Sequence, residues 1–360
     1  RRRHAHGVAS ATRMPSLPLP SLCVRAHGST VPHMPRVLSG IQPSGQLHLG
    51  NYCGAVAQWV ELQKTQDSFI FIASYHALTS VESGESLRTM IRELAIDLIA
   101  LGIDPERTCL YGQQDVPEVT ELAWLLSCVC PMSLADKGVS FKDKTSRGLE
   151  TNLGLYTYPI LQAADILAVD ADVVPVGKDQ VQNIEICRDV AGRFNSRFGA
   201  EVFKLPAHRL AADADVLPGI DGQKMSKSYG NTISPFLDEK ALRKRVMSVK
   251  SDSTAVDQPK DPETDATFRI FRAVAGRSDP RTVELERKYR EPPAGGFGYG
   301  HAKQALFELL LDRFATARQR RAELVADPAQ LDRILARGAA KARALARATV
   351  DRARKACGLS

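Results

Sequence analysis

Short uninterrupted apolar runs alternate with amphipathic stretches from residue 37 to about residue 200. Val37-Leu38-Ser39-Gly40, Phe69 to Ala73, Thr108-Cys109-Leu110-Tyr111 and Val173 to Val176 are too short and too apolar for surface helices, and each is flanked by polar or turn-forming residues, so they predict strands. Between them the apolar positions recur at helical spacing. Tyr52, Val56 and Val60 mark a helix over 50–63, and further helices are predicted over 86–101, 118–128, 158–167 and 180–197. This strand–helix alternation predicts an α/β architecture with a doubly wound parallel sheet over residues 36–233.

A polar, Gly- and Pro-rich stretch from Ala211 to Gln223 closes that region, and the pattern then becomes mainly helical. Helices are predicted over 239–249, 266–275, 283–289, 302–321 and 330–357, with a glycine-rich loop over 291–300. A mainly helical C-terminal domain over 234–360 is therefore expected. No internal repeat is visible.

Composition narrows the picture. With 44% hydrophobic and 25% charged residues, a chain of 360 residues can bury a substantial core. The most apolar helical run, Leu94 to Leu101, is interrupted by Asp97, so no membrane-spanning segment is expected. The net charge of +7 suggests a nucleic-acid partner until it is located: Arg1, Arg2, Arg3, Arg13, Arg25 and Arg36 fall in the first 36 residues, which contain no Lys, Asp or Glu. Residues 1–35 are expected to be a disordered extension. Two readings of it stand, a start at Met34 with an unused preamble, or a transit peptide over residues 1–33. The first implies a cytoplasmic enzyme of bacterial type and the second a mitochondrial matrix enzyme. The seven cysteines are scattered without a C-x-x-C pair, so they are expected as free core thiols, with no structural metal.

Two motifs carry chemistry. Gln42-Pro43-Ser44-Gly45 follows the first strand, and His48-Leu49-Gly50-Asn51 opens the next helix. A helix N-terminus supplies unpaired N–H donors, Gly50 leaves room for a phosphate, and His48 and Asn51 add donors. Alone this string is weakly specific. Lys224-Met225-Ser226-Lys227-Ser228 is strongly specific, since that string arises by chance in such a chain with probability on the order of 10⁻⁴. Two lysines three residues apart can surround a pyrophosphate leaving group as its charge develops. Tyr158, Gln162 and Asp165 fall at i, i+4 and i+7 and share one helix face, in an apolar setting where an ionised Asp165 needs a partner.

In this order, flanking a parallel sheet, the two motifs resemble the signatures of class I aminoacyl-tRNA synthetases, whose catalytic domain is Rossmann-like. Arg36 to Gly45, Tyr75-His76-Ala77-Leu78-Thr79, Tyr158 to Leu167 and Val174-Pro175-Val176-Gly177-Lys178-Asp179-Gln180 are similar to the tryptophanyl-tRNA synthetase family. The match is close over 36 to about 250 and looser beyond. It implies activation of L-tryptophan by ATP and transfer to the tRNA for tryptophan, by a homodimer whose helical domain meets the anticodon.

By that resemblance ATP, bound with Mg²⁺, lies against Gln42, Pro43, Ser44, Gly50 and Asn51. Gly177, Lys178 and Asp179 surround its ribose, the backbone at Val216 meets adenine, and Lys224, Met225, Ser226, Lys227 and Ser228 cover its phosphates. Lys224, Lys227, Lys144 and Gln42 are the implied catalytic residues; for Lys144, in Lys-Asp-Lys, a solvated charge is an equal alternative. The resemblance assigns Asp165 to the indole N–H and places His76, Gln162, Val174, Val176 and Gln180 around tryptophan. Gln162 departs from the common bacterial methionine. The spacing of that helix also suits tyrosyl enzymes, so the choice of tryptophan comes from the other motifs. Arg243, Lys244, Arg245, Lys341, Arg343, Arg347, Arg352, Arg354 and Lys355 are candidates for phosphate contact or for a solvated face.

Overall fold

The computed structural model describes residues 34–81, 83–138, 151–199, 201–210 and 216–359. Residues Met34–Ser360 form one compact unit. Its centre is a five-stranded, wholly parallel sheet: β1 (Arg36–Ile41), β2 (Asp67–Ile72), β3 (Thr108–Gly112), β4 (Val173–Val176) and β5 (Ala207–Leu210), in spatial order β3-β2-β1-β4-β5. β2, β3 and β4 are almost entirely buried, as strands covered on both faces are, while β1 is buried over Val37, Leu38 and Ser39 and opens at Gly40. The sequence pattern does not predict β5. All four of its residues are exposed on the sheet edge, so it lacks the apolar run that marks the others.

The helices of the first half are α1 (Leu49–Asn51), α2 (Ala57–Leu62), α3 (Ser74–Ala77), α4 (Gly84–Ala100), α5 (Glu118–Ser127), α6 (Met132–Ala135), α7 (Leu153–Ala168) and α8 (Val181–Phe198). The helix expected over 50–63 is interrupted by a π-helical turn over Tyr52–Val56 between α1 and α2. Beyond the sheet come α9 (Glu239–Met247), α10 (Ala266–Ala275), α11 (Pro280–Arg290), α12 (Tyr299–Arg313), α13 (Ala315–Ala326) and α14 (Pro328–Cys357). The single helix expected over 302–321 is two, because the buried Phe314 leaves the helical conformation at φ −106° and ψ 11°.

Two apolar clusters sandwich the sheet. One joins Leu47, Leu49, Trp59, Ile70 and Ile72 to α4 and to α9–α13; the other joins Leu38, Phe69, Phe71 and Tyr111 to α5, α7, α8 and the second half of α14. Helix α14 runs along the outer strand β3. At its crossing point a Cβ on Gly338 would lie 1.9 Å from the carbonyl oxygen of Leu110, and Cys109 Sγ approaches the Gly338 carbonyl oxygen at 3.1 Å. Small residues at Ala339, Ala342, Ala346 and Ala353 continue the close approach, so α14 covers an edge that would otherwise offer unpaired backbone groups.

The basic residues of α14 are engaged with the sheet layer. Lys341 pairs with Asp67, Arg343 and Arg347 with Glu118, Arg352 with Asp170, and Arg354 with Glu121. Arg343 and Arg347 share Glu118, and Asp67 also pairs with Arg36, so these carboxylates hold the basic side chains against the sheet layer without cancelling all of their charge. The thiols are less uniformly buried than expected: Cys109 and Cys187 are in the core, whereas Cys128 caps the short helix α5 and is exposed.

Candidate active site

The turn that leaves β1 runs directly into α1. Pro43 is buried while Gln42 and Ser44 face outward, and Ser44 N–H donates to the Gln42 carbonyl at 2.9 Å. His48 is the extended N-cap of α1, and its backbone N–H donates to Asn51 Oδ1 at 3.3 Å. Burial, reinforced by the positive charge of Lys227, pushes the His48 pKa down to about 4, so its imidazole is neutral at pH 7. Its Nδ1 is buried without a partner among the described residues. A Cβ on Gly50 would come within 2.9 Å of that nitrogen, so the glycine keeps open the space beside an unsatisfied polar atom.

Chain folding brings the lysine-rich loop over this turn. Lys227 Nζ donates to the Gly45 carbonyl at 2.9 Å and reaches Ser44 Oγ at 3.3 Å. Burial lowers the Lys227 pKa, and the charge of Asp97 acts in the opposite direction. A second tie joins the motifs, since Leu49 N–H donates to the Ile233 carbonyl at 2.8 Å. Lys224 is exposed, Met225 is buried as the loop's anchor, and Ser226 and Ser228 share a hydroxyl hydrogen bond of 2.9 Å.

Asn231, which sequence reasoning passed over, shapes the loop. Its Oδ1 accepts from Ser226 N–H at 2.8 Å, and its Nδ2 donates to the Lys224 carbonyl at 3.0 Å and to Asp221 Oδ1 at 2.8 Å. The only sequence signal for it is its place after Gly230, at the loop's exit.

A cavity of about 380 Å³ opens beside these motifs, in the size range of small-molecule sites. It lies where the strand order reverses between β1 and β4, the expected ligand position in a doubly wound sheet. Gln42, His76, Gln162, Val174, Val176, Gly177 and Gln180 all line it, and Tyr158 does so from the same face of α7 as Gln162. Tyr158 OH, Asn183 and Gln180 form a chain: Asn183 Nδ2 donates to the phenol oxygen at 3.2 Å and to Gln180 Oε1 at 2.8 Å. The π-helical turn contributes Gly54 and Ala55 to the opposite wall.

Asp165 sits one layer behind the cavity lining and is 2% exposed. Gln113 Nε2 donates to both of its oxygens at 2.9 and 2.8 Å, and His76 Nε2 lies 3.0 Å from Oδ2. Burial raises the Asp165 pKa, while the bonds from His76 and Gln113 oppose that shift. Gln113, itself fully buried and held by Tyr75 N–H through Oε1 at 2.9 Å, follows β3 and has no sequence signal; only the fold brings it to Asp165.

Lys178 and Asp179 are exposed in a 3₁₀ turn after β4, where Gln180 Nε2 donates to Asp179 Oδ2 at 3.2 Å. The Val216 carbonyl accepts from Arg269 Nη2 at 3.0 Å. Arg245 also points inward, donating to the carbonyls of Thr232 and Gly230. Lys144 lies outside the described residues. Among the described residues no cluster of three or more His, Cys, Asp or Glu side chains is suited to hold a metal ion.

Residues 32–315 match the family model described as tRNA synthetases class I (W and Y). The chain is 49% identical over 324 residues to the tryptophan--tRNA ligase of Rhodopirellula baltica, covering 90% of this chain and 99% of that one. It is 47% identical over 326 residues to the tryptophan--tRNA ligase of Fusobacterium nucleatum, covering 91% and 98%. Among solved structures, the tryptophanyl-tRNA synthetase of Campylobacter jejuni complexed with ADP and tryptophan aligns with a TM-score of 0.83 and 45% identity, over 90% of this chain and all of the other. With the family model spanning most of the sequence and close relatives matched along nearly their whole length, the chain belongs to the class I tRNA synthetases (W and Y), among their tryptophan--tRNA ligases.

Proposed function

We propose that the cavity and the two motifs beside it form the site at which this enzyme joins L-tryptophan to AMP before passing it to tRNA. The reading rests above all on Lys227, which bridges the lysine-rich loop to the turn that begins at Gln42, a residue of the cavity wall. The tryptophan carboxylate is ionised at neutral pH and needs no general base. It attacks the α-phosphorus of ATP; the new O–P bond forms as the bond to the β-phosphate oxygen breaks, and pyrophosphate leaves. A ribose hydroxyl of the tRNA end then takes the acyl group, releasing AMP.

The roles follow from position. Gln42, Pro43, Ser44, Gly50 and Asn51 cradle ATP from β1 and α1, with the open space beside His48 Nδ1 and Gly50 facing its phosphates. Gly177, Lys178 and Asp179 take the ribose, and Val216 lies near adenine. Lys224 and Lys227, carried by Met225, Ser226 and Ser228, stabilise the departing pyrophosphate. Mg²⁺ bound to the nucleotide would share the charge of its phosphates.

Tryptophan occupies the cavity among His76, Gln162, Val174, Val176 and Gln180, with its indole N–H directed toward Asp165. Gln113 Nε2 donates to both Asp165 oxygens and so favours the ionised, acceptor form that an N–H requires, against the burial that raises the Asp165 pKa. Leu78, Met132 and Leu153 are 58%, 68% and 75% exposed. They flank linked segments, since Asn152 Nδ2 donates to the Thr79 carbonyl and Tyr156 OH to Asp136, and this apolar patch supports a homodimer. The bacterial relatives support a cytoplasmic setting.

Exchange of labelled pyrophosphate into ATP tests the whole reading. It should depend on tryptophan, and exchange driven by tyrosine instead would refute the substrate assignment.

A further inference from the structure

Of the basic run Arg243-Lys244-Arg245, the first two residues are exposed and the third is half-buried. Leu242 and Val246, both buried, fix the inner face of α9, and Arg245 stands beside them in its last turn. Its guanidinium donates through Nε to the Thr232 carbonyl at 2.7 Å and through Nη2 to the Gly230 carbonyl. Bonds from a charged donor are stronger than those between neutral groups, and a planar fork holds both carbonyls in one orientation. Between those carbonyls lies Asn231, 2% exposed, whose side chain grips the lysine-rich loop from within. Its Oδ1 accepts from Ser226 N–H at 2.8 Å and its Nδ2 donates to the Lys224 carbonyl at 3.0 Å. Gly219 leaves the space this amide needs, since a Cβ there would lie 2.3 Å from Asn231 Cγ. Gly230, at φ +61°, ends the 3₁₀ turn Lys227–Tyr229, and its N–H donates to the Lys227 carbonyl at 3.0 Å.

We propose that Arg245 is a positioning residue for the two leaving-group lysines: by fixing the backbone on either side of Asn231, it sets where Lys224 and Lys227 stand beside the turn that opens α1. Each link is a hydrogen bond. Arg245 holds Gly230 and Thr232, Asn231 holds Lys224 and Ser226, and Gly230 holds the turn that carries Lys227. The next residue after Thr232 completes the frame, since the Ile233 carbonyl accepts the Leu49 N–H of α1 at 2.8 Å. The Lys227 side chain can then pass from the Gly45 carbonyl to a pyrophosphate while the backbone beneath it stays in place. Neither Arg245 nor Asn231 lines the cavity that Tyr158, Gln162 and His76 help to build. The effect of losing the fork therefore falls on phosphate chemistry rather than on tryptophan, and a guanidinium spent on two loop carbonyls is accounted for without any RNA phosphate.

This inference rests on the adenylate-forming reading, and tryptophan-dependent pyrophosphate exchange, run without tRNA, separates the two. Arg245→Met keeps the aliphatic stem and removes the fork. It should lower kcat for exchange about tenfold while the KM for tryptophan stays within about twofold. Arg245→Lys keeps the charge but brings one ammonium to two carbonyls, so its kcat should fall between parent and Arg245→Met. It also carries the test should Arg245→Met fail to fold. Asn231→Ala breaks the same path one link further on and should show the same split, and the double variant should lose little more than the worse single one. Unchanged kcat in Arg245→Met, a matching rise in the KM for tryptophan, or additive losses in the double variant would overturn the role of Arg245. So would a defect confined to tRNA charging, which would make this arginine a phosphate contact instead. If the parental chain itself failed to exchange pyrophosphate with tryptophan, the adenylate reading would fall, and this inference with it.

Discussion

Lys227 Nζ lies 2.9 Å from the carbonyl oxygen of Gly45, 182 residues earlier in the sequence. The contact gathers the turn after β1 and the lysine-rich loop at one end of β1. An ammonium bound to a neutral carbonyl is readily recruited by a more negative oxygen, so the same side chain can pass from Gly45 to a pyrophosphate as charge builds there.

Replacing Lys227 with alanine should lower the turnover of tryptophan-dependent pyrophosphate exchange by roughly 100-fold or more, as loss of a donor to developing charge does elsewhere. Lys227→Arg should retain part of the rate. A Lys227→Ala enzyme within a few-fold of the parent in single-turnover adenylate formation would remove this lysine from the leaving-group role.

Asp165→Asn should raise the KM for tryptophan by roughly 10- to 100-fold and leave ATP affinity within about twofold, because a buried polar recognition group discriminates strongly when its charge or pairing is lost. Gln113→Ala should act in the same direction and also cost stability, by about 1 to 3 kcal/mol, since the Asp165 oxygens lose two bonds in a dry setting. Steady-state kinetics with each substrate varied in turn, together with thermal melts, checks both statements.

The depressed pKa of His48, about 4, carries a sign. Unfolded chains bind this proton below about pH 6.5 and the folded chain only below about pH 4, so the His48 contribution to stability is full above pH 6.5 and is lost as pH falls from 6.5 to 4. Denaturant melts of the parent and of His48→Gln should diverge above that window and converge toward its acid end. The rate of pyrophosphate exchange should show no step near pH 6.5 that disappears in His48→Gln; such a step would mean that the imidazole is charged in the working enzyme.

Gly338→Ala places a methyl group where only 1.9 Å separates it from the Leu110 carbonyl oxygen. The backbone has no flexible end to yield, so α14 must lift from β3. A destabilisation of at least about 2 kcal/mol is expected, at the upper end of what overpacking costs. A melting temperature within a degree of the parent would contradict the close packing of α14 on β3.

The parallel layer was legible because four of its strands are short, largely apolar runs, and the helix-opening and lysine-rich motifs because their residues are contiguous. β5 was not, since Ala207–Leu210 is an exposed edge strand whose pairing to β4 comes from the backbone alone. The spacing of Tyr158, Gln162 and Asp165 put all three on one face of a helix. It could not tell that two of them line the cavity while the third stands behind it, because depth depends on what α7 packs against. Gln113 and Asn231 were invisible for a related reason: neither belongs to a periodic pattern, and each gains its meaning from partners brought to it by the fold. The basic face of α14 read as a solvated face or a surface for phosphate, and its ion pairs with the carboxylates of β2, α5 and the β4 approach could not be seen in the sequence, because only the fold brings those partners to it.

Helix α14 has a consequence for how the chain is made. On a ribosome, β3 emerges more than 200 residues before the helix that shields its outer side. At roughly 5 to 20 residues per second, that strand waits ten seconds or longer with its hydrogen-bonding edge open. During this interval nascent chains can pair edge to edge, and aggregation during synthesis should be governed by access to β3 rather than by the stability of the finished enzyme.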